Sequence, residues 1–171
     1  MGFFLRYNKT SESAALWEHF ADIICITMKQ HASKSAPNWL IGERFFCTTL
    51  SGTRAYRDLE NPGQAYKFKG KDGKDHHDPC LKHISGMKPG LDRYTICTIP
   101  SHAFYRITIA SGKPCWELAS KIWFNTIESL NHDSDKDLTF LEFAKKTHFE
   151  AAKFSAAKLV KQGWKDVGID W

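Results

Sequence analysis

A short stretch in the first half of the sequence concentrates side chains that commonly bind metal ions. His76, His77, Asp78, Cys80 and His83 lie within eight residues. Imidazole and thiolate groups are ligands for zinc and copper, so this stretch could capture such an ion at the tip of a loop. The spacing matches no standard zinc module, and polar loops with histidines are usually just solvated. A metal-binding module at His76–His83 is therefore one hypothesis.

Two carboxylates near the N-terminus, Glu18 and Asp22, have the spacing that places both on one face of a helix. Such a pair can bind or orient a metal, but it is equally typical of a solvated helix face. Peptide hydrolysis by zinc needs three protein ligands, a carboxylate base and a donor to the oxyanion. None of the eight histidines is followed by glutamate and no two are four residues apart, so the sequence contains no His-Glu-x-x-His motif.

The elements that must position these groups are mainly helices. Apolar residues recur at helical spacing in five segments. We bound these segments at about Glu12–Gln30, Ser101–Ala110, Pro114–Leu130, Leu138–Lys153 and Ser155–Val167. Thr139 and Glu142 have the spacing of a capping box at the start of the fourth segment.

The region from Ser33 to about Gly90 is rich in proline and glycine, which predicts irregular structure. Within it we expect short helical turns near Ala55–Leu59 and a solvated loop over Lys67–Lys74. The sequence therefore predicts a mainly α fold, a bundle of about five helices with a long irregular loop between the first and second helices.

Length and composition fit one globular domain of 171 residues, with 42% hydrophobic residues. The formal net charge is +5, but positive and negative side chains are interleaved along most of the chain, so we expect no nucleic-acid partner. Five widely spaced cysteines predict reduced, mostly buried thiols. The longest apolar stretch falls far short of the roughly 20 residues that a membrane span requires, so we expect no membrane partner.

The N-terminus lacks an export signal, which favours a cytoplasmic location.

Six short segments carry a family resemblance because they occur together and in a fixed order. They are Leu16–Asp22, Asn38–Glu43, Ala55–Pro62, Ile99–Tyr105, Trp116–Trp123 and Gln162–Ile169. Together they resemble the C-terminal helical lobe of thermolysin-like neutral zinc metallopeptidases. Ile99–Tyr105, for example, reads IPSHAFY where that family has IPNHAFY. The resemblance implies that residues 1–171 form a single domain of this kind.

The resemblance assigns roles to residues on the first helix. Glu18 stands at the position of the family's third zinc ligand, and Asp22 at that of the carboxylate that orients a zinc-bound histidine. A lone carboxylate cannot hold zinc, so Glu18 is expected to be a vestigial ligand. The family's calcium-binding acidic positions correspond to Lys29, Asn38 and Leu40, with only Glu43 kept, so no calcium is expected.

Two further positions follow from the same resemblance. Arg57 corresponds to the arginine that binds the substrate carbonyl; the alternative is a structural ion pair with Asp58, Glu60 or Asp22. Tyr94 stands in place of the histidine that donates to the oxyanion. A phenol can still donate a hydrogen bond, but this exchange could reduce the rate on the order of 100- to 1,000-fold.

These observations predict a metallopeptidase-family protein without proteolytic activity of its own. We expect it to bind a peptide or a peptidase lobe at the face that closes the cleft, and that face should expose apolar groups. The first alternative is half of a composite zinc metalloendopeptidase, completed by a separate chain that carries His-Glu-x-x-His; the second is the His76–His83 metal module. No cofactor is expected in the isolated chain, and zinc only if a partner lobe completes the site. The resemblance also implies secretion, in contrast to the N-terminus.

Overall fold

The computed structural model describes residues 12–33, 38–43, 55–130 and 137–171. Its α-helices are α1 (Glu12–Ser33), α2 (Arg93–Ile96), α3 (Thr98–Ser111), α4 (Ala119–Glu128), α5 (Phe140–Ala152) and α6 (Ala157–Lys165). Two 3₁₀ turns cover Ile84–Gly86 and Cys115–Glu117. The predicted mainly α fold is confirmed. Of the helices in the described ranges, none has the length and apolar character needed to cross a bilayer.

Two small antiparallel ladders lie between α1 and α2. Strand β1 (Leu40–Ile41) pairs with β2 (Arg57–Asp58), and β3 (Lys67–Lys69) pairs with β4 (Asp75–His77). The predicted helical turns near Ala55–Leu59 are therefore wrong, because the backbone N–H groups there bond to distant carbonyls instead of to their own turn. The predicted loop over Lys67–Lys74 is solvated, but it is the tip and flanks of a hairpin.

The helix boundaries differ from the prediction where proline is involved. Helix α3 begins at Thr98, before the predicted Ser101, because Pro100 falls in the first turn, where its missing N–H has no partner within the helix. The predicted segment Pro114–Leu130 is divided into a 3₁₀ turn and α4. The capping box is confirmed: Thr139 accepts from the backbone of Glu142, whose side chain accepts from the backbone of Thr139.

The core is aromatic where α1, α4, α5 and α6 meet. The indoles of Trp123 and Trp164 stack with their centroids 6.0 Å apart and their planes 8° from parallel. Phe143 meets both of them edge-on. Helices α3 and α6 pack so closely that a Cβ at Gly163 would overlap Ile107. The result is one dense core beneath the buried face of α1.

A fully buried histidine joins α1 to this core. Trp123 donates its indole N–H to Nε2 of His19 over 2.7 Å. Nδ1 therefore carries the proton and donates to Oγ of Ser101 over 2.9 Å, and that hydroxyl donates to the carbonyl of Cys97. Burial lowers the pKa of His19 to about 3, so the imidazole is neutral near pH 7.

Candidate functional site

A buried ion pair joins α1 to β2. Nη1 of Arg57 donates to Oδ1 of Asp22 over 2.6 Å, and both side chains are more than nine-tenths buried. Burial raises the pKa of Asp22, and the charge of Arg57 offsets only part of this effect. Burial works to lower the pKa of Arg57, but the charge of Asp22, the hydrogen bond to it and the neighbouring cysteines together outweigh burial, and the pKa is raised. Of the three ion pairs considered for Arg57, the one with Asp22 is present.

The second oxygen of the Asp22 carboxylate is in a different situation. Oδ2 is buried and has no hydrogen-bond partner among the described residues. A buried acceptor without a donor is costly, typically about 1–3 kcal/mol. The first helix thus holds one carboxylate oxygen that is bound and one that could still accept a hydrogen bond.

Glu18 lies one turn before Asp22 and pairs with a cation of the same chain. Its Oε1 is 3.1 Å from Nε of Arg93, on the short helix α2. From Nη2 the Arg93 guanidinium donates to the hydroxyl of Tyr94 over 2.6 Å, and it lies 4.7 Å from the centroid of the Tyr94 ring. Because the Tyr94 hydroxyl oxygen accepts that bond, its own proton can be donated to another group.

Two exposed tyrosines flank Arg57 at the surface. The Arg57 guanidinium carbon lies 5.2 Å from the ring centroid of Tyr56 and 5.8 Å from that of Tyr94. The rings border a cavity of about 160 Å³, which we call the Tyr56–Tyr94 notch; Asp92 and Tyr66 also line it. Of the residues identified from the resemblance, Arg57 contacts Asp22 and Tyr94 directly, and Glu18 is connected to Tyr94 through Arg93.

The structure does not bring the His76–His83 residues together. Neighbouring residues of a strand point to opposite faces, so the side chains of His76 and His77 diverge along β4. The His76 ring stacks on Phe68, with centroids 5.1 Å apart and planes at 13°. Nδ1 of His83 accepts from the backbone N–H of Ser85 over 3.1 Å.

The remaining two groups of that stretch also have other partners. The thiol of Cys80 donates to the carbonyl of Tyr94 over 3.6 Å. The carboxylate of Asp78 accepts from the backbone N–H groups of Gly63, Ala65 and Cys80. Within the described ranges, no three His, Cys, Asp or Glu side chains are grouped so that they could hold a metal ion.

An ammonium group occupies the region where the resemblance places calcium-binding acidic residues. Nζ of Lys29 donates to the carbonyl of Leu40 over 2.7 Å and to Oε2 of Glu43 over 2.6 Å. Asn38 donates to the other oxygen of Glu43 over 3.2 Å. Lys29 therefore supplies a positive charge that holds residues 38–43 against α1.

Sequence reasoning missed two residues of the site. Arg93 is the partner of Glu18, and Tyr56 forms one wall of the notch. Asp92 caps α2 by accepting from the backbone N–H of Tyr94 over 2.7 Å. Aspartate is a preferred N-cap residue, so Asp92 could have indicated that a short helix begins at Arg93.

The mainly helical fold and the contacts among Arg57, Asp22 and Tyr94 are those of a helical-domain family of the metallopeptidase type. A family model described as "Thermolysin metallopeptidase, alpha-helical domain" matches residues 5–169, and the chain belongs to this family. It is 32% identical over 166 residues to Protease PrtS of Photorhabdus sp. (strain Az29), covering 92% of this chain and 44% of that protein. It is 28% identical over 169 residues to an extracellular metalloprotease of Pectobacterium carotovorum subsp. carotovorum, covering 93% and 47%.

A solved structure agrees with this assignment. The precursor of protealysin, a metalloproteinase from Serratia proteamaculans, superposes with a TM-score of 0.80 at 26% identity. The match covers 95% of this chain and 52% of the protealysin precursor. The chain thus spans about half the length of the relatives that it matches.

Proposed function

We propose that this chain functions by binding a second polypeptide and that it does not hydrolyse peptide bonds by itself. The observation that carries this proposal is the outer face of α1. His31 and Ser33 are exposed at its end, and five other exposed side chains on it are apolar or a thiol and follow one another over three turns: Ala21, Ile24, Cys25, Met28 and Ala32. Ile24 is 44% exposed and Met28 is 66% exposed. A continuous apolar stripe of this kind usually marks a surface that another protein covers.

The occupant that we propose is a lobe like the other half of the relatives. Those relatives are about twice as long as this chain, so they contain a further lobe of comparable size. Glu18 is half-buried on α1 and acts electrostatically on Asp22, whose second carboxylate oxygen accepts no hydrogen bond in the described residues. A lobe that donates a hydrogen bond to this oxygen would remove its desolvation cost.

The residues of this chain do not fit a zinc ion by themselves. Zinc in a peptidase needs three protein ligands, and the sequence has no His-Glu-x-x-His to supply two of them. The carboxylate of Glu18 is paired with Arg93. We therefore derive no catalytic step through a metal in the isolated chain.

Binding can be measured with the part of the Photorhabdus protease that this chain does not match, produced as a separate polypeptide. Isothermal titration calorimetry should detect a complex. Ile24→Glu together with Met28→Glu should weaken it about 10- to 100-fold, because charged groups would be buried in an apolar contact. Ile109→Glu is the matched control, since Ile109 is a similarly exposed isoleucine on α3. Equal effects of both variants, or binding only of short peptides in the Tyr56–Tyr94 notch, would contradict docking on α1.

A composite zinc endopeptidase is the second candidate, and one observation favours it: the contacts that link Glu18, Asp22, Arg57 and Tyr94. A mixture of this chain with a lobe carrying His-Glu-x-x-His should then hydrolyse an unstructured protein, and a chelator should stop it. Glu18→Gln should abolish both this activity and stoichiometric zinc in the complex, whereas Glu117→Gln, on an exposed turn, should change neither. Binding without hydrolysis would leave the first proposal standing and reject this one.

We also propose that the chain acts outside the cytoplasm. The Pectobacterium relative is named an extracellular metalloprotease. Fractionation of the producing cells, followed by detection with an antibody, tests this location; a purely cytoplasmic protein would contradict it.

A further inference from the structure

Two cysteines lie behind the Tyr56–Tyr94 notch and share one hydrogen-bond acceptor. The thiol of Cys80, on the segment after β4, and the thiol of Cys97, between α2 and α3, both donate to the carbonyl oxygen of Tyr94. The two distances are 3.6 and 3.4 Å. These two distances place the sulfur atoms no more than about 7 Å apart, and the Cys97 thiol is an electrostatic neighbour of Cys80 in its effect on the pKa of Cys80.

The backbone fixes the same neighbourhood. The N–H of Leu81, next to Cys80, donates to the carbonyl of Thr95 over 3.0 Å. The hydroxyl of Thr98, next to Cys97, donates to the carbonyl of Leu81 over 2.8 Å. The two segments are therefore bound to each other on both sides of Cys97. Disulfide formation requires this kind of close backbone approach.

We propose that Cys80 and Cys97 form an oxidative modification site, at which a low-molecular-weight disulfide converts the two thiols into an intramolecular disulfide. The thiolate of Cys80 attacks one sulfur of the reagent, whose S–S bond breaks and releases one thiolate. The thiolate of Cys97 then attacks Sγ of Cys80 and releases the second. Two protein thiols are oxidised and the reagent is reduced to two thiols, which take up the two protons.

Access decides the order of these two steps. Cys80 is half-buried and lines a cavity of about 590 Å³, together with Glu60 and His102, through which a small reagent can reach it. Cys97 is fully buried and can react only with a neighbour. Burial raises the pKa of both thiols, and Asp78 and then Cys97 raise that of Cys80 further, so the reaction is expected to be faster at alkaline pH.

The other described cysteines provide a contrast. Cys25 is exposed on the outer face of α1, and Cys115 is buried beside the hydroxyls of Thr27 and Ser120. Cys25 can therefore take up a reagent but has no described thiol beside it to resolve the mixed disulfide. The new bond at Cys80 and Cys97 would join the two segments that hold Tyr94 beside Arg57. This inference concerns the chain alone and does not depend on a partner lobe.

The experiment uses the purified, reduced full chain and oxidised glutathione at about pH 8.5. The chain is then unfolded in denaturant so that every remaining thiol, Cys97 included, can be alkylated, and peptide mapping by mass spectrometry identifies the linked residues. We expect a peptide that links Cys80 to Cys97, with the loss of two hydrogen atoms, and a melting temperature above that of the reduced chain. Cys25→Ser should leave this link unchanged. Cys97→Ser should stop at a glutathione adduct on Cys80.

Three results would overturn the proposal. In one, the natural chain itself retains glutathione on Cys80, as the Cys97→Ser variant is expected to do. In another, glutathione has modified Cys25 completely, yet Cys80 and Cys97 are both found alkylated and therefore remained unoxidised. In the last, Cys80 is linked to a different cysteine. The peptide map of the natural chain alone would reveal any of these three results, so the test does not depend on whether a variant folds.

Discussion

The neutral imidazole of His19 predicts a specific loss of stability in acid. In the unfolded chain a histidine titrates near its ordinary pKa of 6.5, whereas in the folded chain burial lowers the pKa of His19 to about 3. Between these values the unfolded state binds a proton that the folded state does not. Stability therefore falls as the pH is lowered through this window and is fully retained above it.

The size of the effect follows from the two pKa values. Linkage gives a loss of about 2 kcal/mol at pH 5 and about 3 kcal/mol at pH 4, approaching about 5 kcal/mol at the limit. Asp22 acts in the opposite direction, because its raised pKa lets the folded state bind a proton more readily as the pH falls. The contribution of His19 must therefore be isolated by comparing variants.

Urea denaturation at about pH 8, 6 and 5 measures this contribution. His19→Gln can still accept from Trp123 and donate to Ser101 but cannot titrate, so its stability should fall less in acid than that of the natural chain. Thr147→Val is the control: it removes the acceptor of the Trp164 indole N–H, a comparable buried bond, without removing a titratable group. A constant stability difference between the natural chain and His19→Gln at all three pH values would refute the reasoning. If His19→Gln does not fold, NMR titration of the natural chain gives the same information.

Three other variants test the packing. Arg57→Met leaves a buried carboxylate without its partner and should lower the free energy of unfolding by about 3–5 kcal/mol, and adding Asp22→Asn should recover part of this; no recovery in urea denaturation would count against the ion pair. Gly163→Ala should cost about 1–3 kcal/mol through overlap with Cγ1 of Ile107, and thermal unfolding should show a smaller cost when Ile107→Ala has removed that atom. Thr139→Ala should cost about 1 kcal/mol by removing the N-cap, whereas Thr139→Ser should be nearly neutral.

The helical fold was predictable because its signals are local. The capping box of Thr139 and Glu142 lies within four residues, and the apolar spacing of α1 is read within one helix. The ladder of β1 and β2 was not predictable, because it pairs Leu40 with Asp58 and neither strand has more than two residues. Pairing between such short, distant segments depends on the tertiary structure and leaves little trace in local composition.

The candidate site was predictable in its members but not in its contacts. The resemblance identified Arg57, yet three acidic partners remained open until the fold brought β2 against α1 and selected Asp22. Nothing near His19 in the sequence marks it as the centre of a hydrogen-bond chain, since Trp123 lies 104 residues away. Long-range partners of this kind are visible only once the helices are packed.

The parallel stack of Trp123 and Trp164 gives this protein an internal optical reporter. Two indoles with parallel planes and centroids 6.0 Å apart are close enough for their electronic transitions to interact, so the aromatic circular dichroism of this pair should differ from that of the other four tryptophans. Both rings are fully buried in the core, whereas Ile24 and Met28 of α1 are exposed. The signal of this pair should therefore report loss of core packing, and it should stay unchanged when a partner covers the outer face of α1.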